Sequence, residues 1–461
     1  MSRLFRGHVA IPPLAGFRNM SPPTRRLFQR AAGGARAGRR FAALHDASFV
    51  AEILYCFQRG ERSFWRGRRR GKDPVMDAEK KTPSQQDQKV VVRGLEGVVA
   101  AETNVSYVDG ANGQLFYQGY NLDELAGRTS FAETIFLVWY GRLPNAKELK
   151  SFRSRLVSEM RLPTQVVRMI QLQPHGAHPM SVLRTIVSAL GMFDPDAEDN
   201  SDEANERKAL RLTAQVPTII ADLYRTRMGQ PLLSPDPAMC FASNFLYMFR
   251  GTPVDEVEEK AFDLTMMLHV DHGMNASTFA GRVTCSTLSD MHSAVTSAIG
   301  TLKGPLHGGA NERVMEMLDK IDNVGEVESY IDGMLNDKQK IMGFGHRVYK
   351  VEDPRARHLR EMSSILCKRA NVPHLFEISQ RIEHVVHDRK GIYPNVDFYS
   401  ATVQHALKIP KEYFTTIFAA ARVPGWIAHI REQYADNRLI RPTSKYMGRF
   451  DKKWEPIEKR P

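Results

Sequence analysis

The alternation of apolar and polar residues that indicates a β-strand almost disappears from this chain after residue 120. Before that point, segments 105–107 and 115–117 flank Asp109-Gly110-Ala111-Asn112-Gly113, which predicts a β-hairpin. From Leu122 onward the apolar residues recur with helical spacing. With 461 residues, of which 42% are hydrophobic, the chain can bury a large core. The sequence therefore predicts an all-α body with one short β-hairpin near its start.

Residues that start or stop helices delimit several of them. The apolar segment 131–141 predicts a short helix that ends at Gly141. Thr252-Pro253-Val254-Asp255 predicts a helix start with Thr252 as the cap and Pro253 in the first turn. Residues 275–302 form a long segment of helical periodicity. Neither a Rossmann nor a P-loop glycine signature is present, so a nucleotide-binding α/β fold is not predicted.

The net charge of +12 is confined to the first part of the chain. Residues 1–75 contain 16 Lys and Arg but only four Asp and Glu, and the remaining residues contain 48 of each sign. A nucleic-acid-binding function for the folded body is therefore not favoured, because the body carries no excess of positive charge.

The basic segment has three interpretations. In order of preference, it is a leader that is dispensable or does not belong to the protein, whose start would then be Met76; an organelle transit peptide; or a basic arm that binds nucleic acid. We expect residues 1–88 to form a disordered leader, and a chain that starts at Met76 to match the full chain in activity and stability.

Cysteine content and hydropathy suggest a soluble protein in a reducing compartment. The four cysteines lie far apart in the sequence, which predicts free thiols: Cys56, Cys240, Cys285 and Cys367. No uncharged apolar run approaches the roughly 18–20 residues of a membrane span. We expect a cytoplasmic protein, or an organelle matrix protein if the leader is a transit peptide.

Four segments place chemically useful side chains next to glycine or proline. They are LHVDHGMNAST with His269 and His272, LKGPLHGGANE with His307, MGFGHRVYKVEDPRAR with His346, and GIYPNVDFYSA with Asp397. A single histidine is more often a packed or surface residue, but glycine-flanked loops favour a functional role because they let another group approach closely.

A metal site at His269, Asp271 and His272 is the alternative for the first segment. The two histidines are three residues apart and could share a helix face, but no further ligand follows at a recognisable spacing. We therefore expect no metal site, with His269 packed in the interior and His272 lining a cleft.

His307 has the most informative surroundings. Gly304-Pro305 ends the preceding helix, and ANERVMEML after Gly309 predicts a new one. The positive end of the helix dipole disfavours a charged imidazole, so His307 is predicted to be a neutral hydrogen-bond donor for a carbonyl or enolate oxygen.

Three arginines late in the chain suit a small carboxylate substrate. Arg355 follows Asp353-Pro354, Arg422 lies in FAAARVPGWIAHI, and Arg441 lies in NRLIRPTS. Each arginine alone is more often a surface charge, but guanidinium groups bind carboxylates in bidentate fashion, so the set predicts an anion site.

The segments LHVDHGMNAST, GPLHGGANE, GFGHRVYKVEDPRA, YPNVDFYS and FAAARVPGWIAH resemble the citrate synthase family in its shorter bacterial form, over about residues 92–449. This resemblance implies an all-α fold with a large domain (89–306 and 403–461) and a small domain (307–402). It also implies homodimers or hexamers, acetyl-CoA and oxaloacetate as substrates, and an entry role in the tricarboxylic acid cycle.

The resemblance further implies a role for each matched catalytic residue. His307 would hydrogen-bond the acetyl-CoA carbonyl and stabilise its enol, Asp397 would remove the methyl proton, and His346 would polarise and protonate the oxaloacetate ketone. A thioester methyl group is a very weak acid, so a carboxylate base requires a donor that supports the enolate at the same moment. No metal or redox cofactor is implied.

Binding residues follow from the same resemblance. Oxaloacetate would be bound by His272, Arg355 and Arg422, and Arg441 would reach into the site of the neighbouring subunit. Lys350 and Lys390 would lie near the CoA phosphates.

Two alternatives remain open within the family. The nearest is a 2-methylcitrate synthase that uses propionyl-CoA with the same residues, because one methylene in an apolar pocket is worth only about 1–3 kcal/mol. The other is a catalytically silent member, which is disfavoured because every matched catalytic position holds the expected residue type.

Overall fold

A small antiparallel sheet opens the folded body, and α-helices form nearly all the rest. The computed structural model describes residues 91–460, so the predictions for the leader and for Cys56 lie outside the described residues. The strands are β1 (Ser106–Asp109), β2 (Gln114–Tyr117) and β3 (Tyr120–Asn121), in the order β1-β2-β3. Asp109 pairs with Gln114, which leaves residues 110–113 as the turn and confirms the predicted hairpin.

Sixteen α-helices follow the sheet within residues 91–460. They are α1 (Leu122–Leu125), α2 (Phe131–Tyr140), α3 (Ala146–Ser158), α4 (Thr164–Gln171), α5 (Pro179–Leu190), α6 (Asp202–Arg227), α7 (Phe241–Arg250), α8 (Glu256–His269), α9 (Ala276–Cys285), α10 (Met291–Leu302), α11 (Ala310–Leu318), α12 (Val327–Asn336), α13 (Pro354–Arg369), α14 (Pro373–Lys390), α15 (Val396–Ala406) and α16 (Phe414–Ala435). The predicted fold class is therefore confirmed.

Helix α2 shows why local sequence defines its own ends. Ser130 and Glu133 form a capping box, in which each side chain accepts a hydrogen bond from the other residue's backbone N–H. At the other end Gly141 adopts a left-handed conformation with φ 73°, as its position after the apolar segment predicts.

One predicted helix boundary is wrong. Helix α8 is capped by Asp255, not Thr252, because the Asp255 carboxylate accepts hydrogen bonds from Val257 N and Glu258 N while Glu258 closes a capping box. Segment 275–302, whose periodicity is helical, forms two helices, α9 and α10. Leu288 between them has φ 65°, and Asp290 caps the second helix through Ser293 N.

Helix α16 lies at the centre of the core. Nearly all of it is buried, including Trp426 and Arg422, and it packs against α6, α8, α9 and α10. Helix α15 is similarly buried and packs against α13 and α11. The two buried helices thus bring Arg422 and Asp397 into the interior, where the polar groups around them require partners.

Three further predictions concern the described residues. Cys240 is half-buried, Cys285 and Cys367 are buried, and all three are free thiols. None of the helices described here combines the length and the apolar character that crossing a membrane requires. The division into a large and a small domain stays a prediction.

Candidate active site

The turn after α8 presents His272 and is held by the β-sheet. Ser106 Oγ donates to Asp271 Oδ2 at 2.5 Å and accepts a hydrogen bond from Gly273 N at 3.0 Å. Tyr117 Oη donates to Asp271 O at 3.1 Å. These bonds fix both neighbours of His272, whose own Nε2 lies 3.2 Å from Tyr349 Oη. Burial, together with the charge of Arg355, holds the pKa of His272 well below its ordinary value, so the imidazole is neutral.

Histidine 307 lies in the loop between α10 and α11, close to the N-terminus of α9. Its Nε2 accepts a hydrogen bond from Ser277 N at 3.3 Å and lies 2.8 Å from Ser277 Oγ, to which Trp426 Nε1 donates at 3.1 Å. Because a backbone N–H can only donate, Nε2 is the acceptor and Nδ1 carries the proton. Burial, and to a lesser extent Arg422, lowers the pKa of His307 to about 4.

His346 has the opposite tautomer. Its Nδ1 accepts hydrogen bonds from Val348 N at 3.0 Å and Tyr349 N at 3.1 Å, so the proton is on Nε2. Burial lowers the pKa of His346 to about 4, with Arg355 as the next cause. The rings of His346 and His272 lie with their centroids 5.0 Å apart.

Asp397 stands in the first turn of α15 and is tied to the His346 loop. Asn395 caps this helix by accepting from Asp397 N, donates its own N–H to Gly343 O at 2.8 Å, and donates its side-chain amide to Gly345 O at 3.0 Å. A Cβ on Gly343 would meet Phe398 Cβ at 2.9 Å, so only glycine allows this approach. The cap therefore joins the two segments that carry His346 and Asp397.

Burial also changes the chemistry of Asp397. The side chain is 9% exposed, and its Oδ1 finds no hydrogen-bond partner among the described residues. Desolvation raises the pKa of Asp397 to about 7, against the opposing charge of Arg355. A carboxyl with this pKa is a usable general base near neutral pH.

The two buried arginines differ in their partners. Arg355 forms a two-point ion pair with Asp353, from Nε to Oδ1 at 3.0 Å and from Nη2 to Oδ2 at 2.7 Å. Asp353 also accepts from Val396 N at 3.2 Å, which links it to the start of α15. Arg422 instead donates Nε to the backbone oxygen of His269 at 2.6 Å, and its buried Nη2 is unpartnered within residues 91–460.

The structure thus brings six of the nine predicted site residues together. They are His272, His307, His346, Arg355, Asp397 and Arg422, and the positive charge of Arg355, Arg422 or both acts to lower the pKa of each of the other four. His269 is buried and packs edge-on against the ring of Phe418, as expected for an interior residue.

The other three predicted residues lie elsewhere on this chain. Lys350 is exposed four residues after His346, and Lys390 is exposed at the end of α14. Arg441 is exposed in the segment after α16. Their predicted roles toward CoA and toward a neighbouring subunit stay predictions.

Sequence reasoning missed three residues that support the site. Ser277 and Trp426 fix the tautomer of His307, and Asp353 neutralises Arg355. Only Asp353 carries a signal in the sequence: an Asp directly before Pro354 predicts a helix cap, and the cap positions its carboxylate two residues before Arg355.

The helical fold holds a buried carboxyl and neutral histidines beside two buried arginines, a combination that suits an acid–base enzyme. Comparison with known proteins then identifies its family. The family model "Citrate synthase, C-terminal domain" matches residues 94–443. Citrate synthase 2 of Bacillus subtilis is 48% identical over 369 residues, which cover 80% of this chain and 99% of that relative. The citrate synthase of Deinococcus radiodurans is 46% identical over 373 residues, with the same coverage. The chain belongs to the citrate synthase family of acyltransferase-type condensing enzymes.

Solved structures agree with this placement. A ternary complex of carboxymethyl coenzyme A and oxaloacetate with the citrate synthase of Thermoplasma acidophilum aligns with a TM-score of 0.77. It is 33% identical, and the alignment covers 80% of this chain and 100% of that chain.

Among the relatives found by sequence, the 2-methylcitrate synthase 1 of Corynebacterium glutamicum is more distant than the two citrate synthases above. It is 39% identical, over 80% of this chain and 98% of that relative.

Proposed function

We propose that this protein condenses acetyl-CoA with oxaloacetate and water to give citrate and CoA. One observation carries the proposal: burial shifts the pKa of the base and the pKa values of the two donors in opposite directions. The pKa of Asp397 is raised to about 7, whereas those of His307 and His346 are lowered to about 4. At neutral pH the site therefore offers a carboxylate base and two neutral N–H donors without any metal in the roles described below.

Enolisation requires the base and the first donor together. Asp397 takes a proton from the acetyl methyl group of the thioester, and the negative charge moves to the thioester oxygen. The Nδ1–H of His307 donates a hydrogen bond to this oxygen. Because Ser277 and Trp426 hold the other side of the ring, the donor needs no reorientation as charge develops.

The second donor activates the electrophile. Oxaloacetate binds through its carboxylates to Arg355, Arg422 and His272, and its ketone oxygen accepts from the Nε2–H of His346. The enolate carbon attacks the ketone carbon, and the new alkoxide takes the proton of His346. Two backbone N–H groups donate to Nδ1 of His346, and they offset the negative charge left on the ring. Water then hydrolyses the citryl thioester and releases CoA.

The proposal also gives a binding role to each of the three exposed residues predicted from the sequence. Lys350 and Lys390 contact the phosphates of CoA, and Arg441 contributes to the oxaloacetate site of a second subunit in a homodimer or a hexamer. We also propose a cytoplasmic location for the enzyme. The ternary complex of the Thermoplasma acidophilum relative supports the substrate pair, because it contains oxaloacetate with a CoA derivative.

An assay of CoA release by the purified protein tests the proposal. With oxaloacetate present, we expect turnover with acetyl-CoA to exceed turnover with propionyl-CoA. Faster turnover with propionyl-CoA would favour 2-methylcitrate synthesis, the activity for which the relative from Corynebacterium glutamicum is named. Failure to release CoA from either thioester, by protein that is folded, would refute the condensing function.

A further inference from the structure

The β1–β2 hairpin contacts the two segments that carry His272 and His346, the histidines of the proposed oxaloacetate site. At its base, Ser106 and Tyr117 hold the turn that carries His272, as described above. Val108 lies against Gly273, since a Cβ on that glycine would meet Val108 Cγ2 at 3.5 Å. The middle of the hairpin therefore packs directly beside His272.

The tip of the hairpin, residues 109–113, contacts the loop that carries His346. Gly110 O accepts a hydrogen bond from Lys350 N at 2.9 Å. A Cβ on Gly110 would meet the carbonyl carbon of Val348 at 2.8 Å, and its carbonyl oxygen closer still. A Cβ on Gly113 would meet Val351 Cγ2 at 2.7 Å and Glu352 O at 2.9 Å. These approaches are tighter than real Cβ atoms allow, so the fit requires glycine.

The tip is itself stiff. The carboxylate of Asp109 accepts hydrogen bonds from Ala111 N at 3.1 Å and Asn112 N at 3.0 Å, and from the side-chain amide of Asn112 at 2.9 Å. An Asp at this position of a turn restrains the backbone that follows it. This stiff tip contacts Val348 and Lys350, which flank Tyr349, and the N–H groups of Val348 and Tyr349 hold the ring of His346.

We infer that the β1–β2 hairpin is a positioning element for oxaloacetate: its base fixes the His272 turn, its tip fixes the His346 loop, and together they set the 5.0 Å separation of the two rings. The inference rests on the proposed function, in which His272 binds oxaloacetate and His346 activates its ketone. A displacement of about 1 Å between groups that act on one small molecule lowers the rate on the order of a hundredfold.

Two glycine-to-alanine pairs separate positioning from folding. Gly110→Ala adds a clash without a left-handed backbone, and its control is Gly176→Ala, where a Cβ has ordinary φ and meets nothing within 4 Å. Gly113→Ala combines a clash with φ +64°, and its control is Gly119→Ala, which has φ +85° and open space. Each control carries the backbone effect of its partner and leaves the His346 loop untouched.

The measurements are oxaloacetate affinity by calorimetry, kcat, KM for each substrate, and urea unfolding, all on the full chain. Relative to their controls, we expect the tip variants to bind oxaloacetate about tenfold more weakly and to turn over roughly 10- to 100-fold more slowly. Equal oxaloacetate affinity in tip variants and controls would overturn the inference. A loss confined to stability, with unchanged kcat and KM per folded enzyme, would also overturn it.

Ser106→Ala keeps the test decisive if the tip variants do not fold. This variant adds no atom and removes the hydroxyl that joins the sheet to Asp271 and Gly273. We expect weaker oxaloacetate binding, and unchanged affinity would overturn the inference for the base of the hairpin. Wild-type protein that releases no CoA would refute the proposed function itself, whereas active wild-type enzyme with unaffected variants refutes only the role of the hairpin.

Discussion

Replacing Asp397 with Asn should stabilise the fold while it abolishes turnover. Burial raises the pKa of Asp397 from 3.8 to about 7 in the folded protein. Since one pKa unit corresponds to about 1.36 kcal/mol, the ionised carboxylate lowers the free energy of unfolding by roughly 4 kcal/mol above pH 7. A neutral amide avoids this desolvation, although part of the gain is lost if its buried N–H groups lack partners, so we expect a net gain of about 1–3 kcal/mol.

The effect should depend on pH in one direction. Below the unfolded-state pKa both states are protonated and the penalty is absent. As pH rises toward 7 the unfolded chain ionises first, and the wild-type protein loses stability relative to Asp397→Asn. Integrating between the two pKa values gives an advantage that grows by about 2.5 kcal/mol from pH 5 to pH 8. Urea unfolding without substrate at these two pH values measures this difference.

Although Asp397→Asn should stabilise the fold, it should lower the rate of the reaction. Turnover should fall by about 100- to 10,000-fold, because the amide cannot accept the methyl proton. Oxaloacetate affinity should stay nearly intact, since Arg355, Arg422 and His272 hold the carboxylates, and calorimetry measures it.

A matched control is Asp222→Asn, which replaces another buried carboxyl whose pKa burial raises to about 7. It should show the same pH-dependent gain in stability with full activity. A stability difference between wild type and Asp397→Asn that does not change with pH would refute the assignment of Asp397 as a buried, poorly solvated base. A large loss of oxaloacetate affinity in the folded Asp397→Asn variant would show that Asp397 also takes part in binding oxaloacetate, and would refute the prediction that it acts only as a base.

Three further variants test other parts of the site. His307→Ala should lower kcat by roughly 100- to 1,000-fold and leave oxaloacetate affinity in calorimetry unchanged, because the lost donor acts on the thioester; a change confined to oxaloacetate binding would contradict this. Arg441→Ala should weaken oxaloacetate binding, and verified heterodimers with Asp397→Asn should recover activity; without recovery, Arg441 belongs to the site of its own subunit. Gly425→Ala should lower the free energy of unfolding in urea by about 1–3 kcal/mol, because its Cβ would overlap Val270 O and meet Asp271 Oδ1 at 2.9 Å. The control Gly333→Ala in α12 meets nothing within 4 Å and should stabilise that helix by up to about 1 kcal/mol; equal effects of the two glycine variants would contradict the packing argument.

Local signals predicted the fold where the determining contacts are local. The hairpin follows from turn residues that lie between its two strands, and the end of α2 follows from Gly141 alone. The predicted start of α8 was wrong because two residues that can cap a helix, Thr252 and Asp255, lie within four positions of each other. Asp255 prevails over Thr252, since its carboxylate accepts two backbone N–H groups and Glu258 completes the box.

The site shows the same limit. Motifs located His307, because its glycines and helix start are neighbours in sequence. They could not reveal Ser277, which lies 30 residues away and becomes a partner only when α9 and the loop before α11 meet. Trp426, which donates to Ser277, likewise acts across 149 residues of sequence. Sequence motifs thus singled out the side chains whose catalytic roles are proposed above, whereas the groups that fix their tautomers depend on helix packing.

The two buried arginines differ in how their positive charge is compensated, and this difference suits the site to an anionic substrate. Arg355 has its counter-charge inside the fold, since Asp353 forms a two-point ion pair with it. Arg422 donates Nε to a backbone carbonyl and lies over the ring of Phe418, 4.8 Å from its centroid, and burial lowers its pKa to about 10. A substrate carboxylate would accept from the unpartnered Nη2 of Arg422 and supply the missing negative charge. Oxaloacetate should therefore raise the free energy of unfolding beyond what a neutral ligand of similar size contributes, and this increase should shrink in Arg422→Gln.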